Sequence, residues 1–81
     1  MERDVTQILS AATDSVDLIN GVNDGSWNVE GLEQSEINDM VQRNVDHLEI
    51  ILAYEEVVAD SSDKSSYTDA VSTGKAYIEA N

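Results

Sequence analysis

Apolar side chains recur every three or four residues along almost all of this 81-residue chain, and no proline interrupts them. That period keeps side chains on one face of an α-helix, whereas a strand would need strict alternation. In the first segment Val5, Ile8, Leu9, Ala12, Val16 and Ile19 fall on one stripe. Asp4, with Gln7 three residues on, has the form of a capping box, and "NGVNDG" at 20–25 carries stop signals. A helix is expected near residues 4–22. In the second segment Ile37, Met40, Val41, Val45, Leu48, Ile51, Leu52 and Val58 share a face, with Ser35 placed as an N-cap. This helix is expected over about 35–60, stopping in "DSSDKSS". Ser66 and Asp69 form a further capping-box pattern that opens a helix over about 66–80, with Tyr67, Ala70, Val71, Gly74, Tyr77 and Ile78 on its apolar stripe. A glycine inside a helix costs about 1 kcal/mol relative to alanine. Gly74 on the apolar face therefore predicts close approach by a neighbouring helix.

Three amphipathic helices with short connections predict one all-α domain over residues 1–81, a small three-helix bundle running up, down and up. At 1.5 Å per residue the expected helices are roughly 28, 39 and 22 Å long, so a long central helix should outreach its partners. Ile50, Tyr54 and Val57 add a second stripe, rotated from the main one. Either helices 1 and 3 cover both faces of helix 2, or part of this stripe docks another chain. Asn44 and Glu55 interrupt the main stripe, and a buried polar group needs partners. Asn44 reads as a hydrogen-bonded interior residue or an interface contact, and Glu55 as the place where the core ends.

A chain of this size buries only about 60–65% of the surface its unfolded form exposes. Without cysteine it has neither disulfides nor thiolate metal sites. Its stability rests on tidy helix packing or on membership of an assembly, and the assembly is the expectation. Charge narrows the partners. Seventeen Asp and Glu face four Lys and Arg, a net of −13, and Arg3, Arg43, Lys64 and Lys75 are scattered. Phosphate backbones and anionic lipids require clustered cations, so neither direct nucleic-acid binding nor membrane attachment is expected. The longest apolar run, Ile50 to Tyr54, is far short of the roughly 18 residues of a membrane span. "MERDVTQ" lacks the basic-then-apolar order of a secretory signal, so a soluble protein that acts where it is made is the expectation. An apolar content of 41% argues against disorder.

No pattern marks a reaction centre. With Gly25 at position 6 of a calcium loop, position 3 is Val22 and position 12 is Gly31, and neither can ligate. "NDG" reads as turn chemistry. His47 is the sole imidazole and has no partner set for zinc or for nucleophilic catalysis, so a structural or surface role is expected. Glu55 and Glu56 are neighbours that point about 100° apart on a helix. "GKA" at 74–76 lacks the phosphate-loop spacing. The expectation is no enzyme, no cofactor and no metal.

Trp27 is the only tryptophan, set in "DGSWNVEGL" at 24–32. It can fold over the bundle end together with Val29 and Leu32, or stand exposed as an anchor for a partner. The candidate partner-binding residues are accordingly Trp27, Ile50, Tyr54 and Val57.

The segments "INGVNDGSWNVEGL" (19–32), "QRNVDHLEIIL" (42–52) and "YTDAVSTGKAYIEAN" (67–81) resemble small acidic all-helical proteins of tailed bacteriophages. That resemblance implies a virion-associated subunit, in the capsid or as a tail accessory, or an assembly protein, located in the virion or the host cytoplasm. Its partners would be other virion proteins or further copies of itself, docked through helix 2 and the Trp27 loop. It maps no functional residue. Charge alone raises an alternative, an acidic inhibitor that imitates DNA and blocks a nucleic-acid-binding host protein. Glu36, Asp39, Asp46, Glu49, Glu56 and Asp60 would then stand in for phosphates.

Overall fold

A computed structural model describes residues 5–54 and 63–81. Among the described residues three helices, α1 (Val5–Asp24), α2 (Gln34–Leu52) and α3 (Asp63–Ala80), each pack against the other two. The result is the all-α three-helix bundle that the periodicity predicts. Gln34 Nε2 donates to Tyr77 Oη at 2.9 Å, which sets the start of α2 beside the end of α3, as antiparallel neighbours require.

The predicted stripes form the core. Ala12, Ile19 and Val22 come from α1, Ile37, Val41, Val45, Leu48 and Ile51 from α2, and Tyr67 and Ala70 from α3. Ile8, Leu9, Val16, Met40, Val71, Tyr77 and Ile78 pack around them half-buried. At Gly74 the three helices meet. A methyl group there would lie 3.3 Å from Val41 Cγ1 and 3.4 Å from Ile19 Cγ2, and would collide with Val45 Cγ2.

Four boundaries differ from expectation. The first helix continues through Asn20 and Gly21 to Asp24. It stops where Gly25 takes φ +85°, a left-handed value that glycine adopts without a Cβ penalty. The N-cap of α2 is Glu33, not Ser35. Glu33 is extended (ψ 158°), and its N–H donates to Glu36 Oε1 at 3.3 Å, so the acid three residues on closes the helix start. Ser35 is thus already inside the first turn. The third helix begins at Asp63 rather than Ser66; Thr68 Oγ1 bonds the Lys64 carbonyl at 3.0 Å, one helical turn back.

The largest difference is the central helix. At 19 residues α2 matches α1 (20) and α3 (18) instead of outreaching them. Ala53 N–H is shared between the Glu49 and Ile50 carbonyls at 3.2 Å, and Tyr54 N–H reaches only three residues back to Ile51 at 3.0 Å. Such tightening is a common helix ending. Ile51 is the last buried residue of α2. Asp4, Glu55, Glu56, Val57, Val58 and Asp60 lie outside the described residues.

Candidate interaction surface

The connection between α1 and α2 is built from local hydrogen bonds. Asp24 Oδ1 accepts from the Ser26 N–H at 2.8 Å, and Asn28 Oδ1 accepts from the Glu30 N–H at 3.0 Å. Both are turns that Asx side chains make with backbone two residues on. Leu32 N–H then returns to the Val29 carbonyl at 3.0 Å, with Gly31 at φ +85°, the sign a type II turn demands at its third position. The Ser26 hydroxyl and then its N–H hold the Asp24 carboxyl below its ordinary 3.8. A depressed folded value means the contribution to stability is present above the unfolded pKa and is lost as pH falls through the folded one. In an NMR titration the Asp24 carboxyl should therefore show a midpoint below 3.8, and Ser26→Ala should raise it.

These turns lay Trp27 back over α1. Its N–H donates to the Gly21 carbonyl at 3.0 Å, and a methyl at Gly21 would sit 3.0 Å from the ring atom Cε3. Gly21 is thus the floor on which the indole rests. The residue is still 39% exposed, so it combines a packing role with an outward face. Val29 packs against the core beside this loop. Leu32 does not join it: 40% exposed, it lines an open groove of about 450 Å³ with Glu36, Asp39, Met40, Arg43 and Asn44.

Ile50 and Tyr54 are 57% and 56% exposed. Coverage of both faces of α2 by α1 and α3 is therefore overturned at these two residues. Trp27 does not share their patch. The 19 residues of α2, about 28 Å of helix, separate the Trp27 end of the bundle from the Tyr54 end.

Between those ends lies a polar cluster that spacing alone did not reveal. Ser15 is only 3% exposed although it belongs to the apolar side of α1. Asn44 Nδ2 donates to the Met40 carbonyl at 2.8 Å, leaving Asn44 Oδ1 to accept the Ser15 hydroxyl at 2.8 Å. With its one proton so placed, Ser15 Oγ accepts from His47 Nδ1 at 2.8 Å. A Ser–His contact can begin a nucleophilic dyad, but the base must take the hydroxyl proton. Here the imidazole donates and the hydroxyl is covered. What the cluster does is tie α1 to α2 in one register, with Asn44 hydrogen-bonded and half-buried at the edge of the groove. The available signal was a serine between Ala12 and Ile19 on the α1 stripe. Ser15→Ala should cost about 1–3 kcal/mol, because it leaves Asn44 and His47 short of a partner. Urea denaturation at unchanged slope measures it.

The acidic side of α2 is interrupted by cations. Arg43 Nη2 bonds Asp39 Oδ2 at 2.8 Å, and Lys75 Nζ lies 3.6 Å from Glu49 Oε2. Asp46 accepts from Gln42 at 2.9 Å, and Glu36 is engaged at the helix start. Among the described residues no three His, Asp or Glu side chains group to hold a metal ion, and no described helix is long and apolar enough to cross a membrane. No protein-family model, no curated protein and no solved structure matches this chain.

Proposed function

We propose that the chain is a non-enzymatic interaction protein, a small helical subunit that joins another protein in an assembly. One observation carries this reading: Ile50 on α2 and Tyr54 just past its end stay more than half exposed, while the other large apolar side chains of α2 are wholly or partly buried. Exposed apolar side chains that lie together mark interaction sites more than scattered ones do, and these two are four residues apart. The resemblance to tailed-phage proteins makes a virion accessory or assembly subunit the concrete form of the proposal, and other virion proteins its partners.

Particles purified from cells making the chain should contain it, and pull-down should recover a virion protein with it. A strictly monomeric chain absent from particles overturns the reading. Mimicry of DNA draws on the net charge of −13. It stands second because Arg43 and Lys75 sit among the acids that would copy phosphates.

A further inference from the structure

Besides its buried stripe, α2 has an outer face that the bundle leaves partly open. Leu32 reaches the groove from the turn before the helix, and Met40, Arg43, His47, Ile50 and Tyr54 follow one another at steps of three, four, three and four residues. That spacing keeps side chains on one side of a helix. Leu32, Met40 and Arg43 line the groove, His47 is half-buried, and Ile50 and Tyr54 are exposed. Ala53 is in the right-handed helical region, so the turn that carries Tyr54 keeps the helical sense. From Met40 to Tyr54 the face is therefore continuous over about 21 Å, with a polar middle, and Leu32 extends its groove end from the preceding turn.

Its shape suits a helix laid alongside, the groove mode in which anchors recur at helical spacing. Its charge selects which helix. Glu36 and Asp39 rim the groove and Asp46 lies one turn before Ile50, an acidic excess that Arg43, paired with Asp39, offsets only in part. A second copy would bring another −13 against this rim. Lys and Arg flanking apolar anchors would complement it and speed encounter. We propose that the outer face of α2 is a docking lane for a cationic amphipathic helix of another protein. Apolar anchors settle over Leu32 and Met40 at one end and over Ile50 and Tyr54 at the other. This rests on the interaction reading above and names the partner's chemistry.

The test titrates the full chain with a synthetic Leu/Lys amphipathic helix about five turns long. A Leu/Glu peptide of the same pattern is the control. The Leu/Lys helix should bind with an affinity that falls as salt rises, and the Leu/Glu helix should not bind. Ile50→Ser with Tyr54→Ser should weaken binding about tenfold or more. Both residues are exposed, so circular dichroism should be unchanged. Asp46→Asn should weaken binding more than Asp17→Asn, which removes the same charge from an exposed site on α1. Equal effects of the two Asn variants, with no effect of the Ser pair, overturn the lane in favour of diffuse charge attraction. A dimer in sedimentation that the Ser pair dissolves overturns it in favour of a second copy. Particles that retain the wild-type chain but not the Ser pair, with the Leu/Lys peptide unbound, overturn the cationic helix and leave the interaction reading standing.

Discussion

Gly74→Ala should destabilise the bundle, although alanine is the better helix former by about 1 kcal/mol. The added methyl collides with Val45 Cγ2 and lies 3.3 Å from Val41 Cγ1, and both valines are fully buried. Neither is the loose end of a long side chain. A β-branched side chain has one strongly preferred rotamer in a helix, so Val45 cannot swing aside cheaply. Overpacking a well-filled core costs about 1–3 kcal/mol, enough to cancel or exceed the propensity gain, and Gly74→Val should cost more than Gly74→Ala. In a domain of this size each 1 kcal/mol lowers Tm by roughly 4–8 °C. Val45→Ala supplies the internal check. It opens space where the new methyl points, so the double variant should be more stable than the sum of the single losses, with a coupling of about 0.5–3 kcal/mol. A Gly74→Ala protein that melts higher than the wild type would show that α2 and α3 do not approach as closely as described.

Leu48→Ala and Ile50→Ala, two residues apart on α2, should have opposite consequences. Leu48 is completely buried, and its truncation removes transfer free energy and leaves a cavity between helices. The cost should be about 2–5 kcal/mol. That is a large part of the 5–15 kcal/mol that separates most folded domains from their unfolded chains. Ile50 is 57% exposed, so its truncation should move stability by no more than about 0.5 kcal/mol. Binding should reverse the order. Loss at Ile50 should weaken capture of the partner while the isolated protein melts as before. Denaturant midpoints and a pull-down on the same two preparations read both halves. If Ile50→Ala instead lowered the midpoint as much as Leu48→Ala, the residue would belong to the core.

Much of this was legible from spacing. The stripes of α1, α2 and α3 name nearly all the buried residues, because a helix of period 3.6 can bury only one face against two neighbours. Gly74 was legible as well, since an unfavourable residue on an apolar face is tolerated where backbones come close. The helix ends were less so. Ser35 has the better N-cap chemistry, yet Glu33 caps α2 because Leu32 and Gly31 complete a turn just before it. The length of α2 was misjudged for a related reason. Apolar residues continue past Leu52 in the sequence, but the backbone tightens into a closing turn at Ala53 and Tyr54, which the apolar period does not mark.

By itself the sequence determined the helical class, the faces that become core and the acidic surface, all of which follow from local periodicity and composition. Only the tertiary structure decided which residues outside that core are covered. It laid Trp27 on Gly21, exposed Ile50 and Tyr54, and drew Ser15, Asn44 and His47 together from positions 29 and 32 residues apart. Coverage depends on where neighbouring helices end and how they cross. Those are properties of the packed whole, which no single helix's period contains.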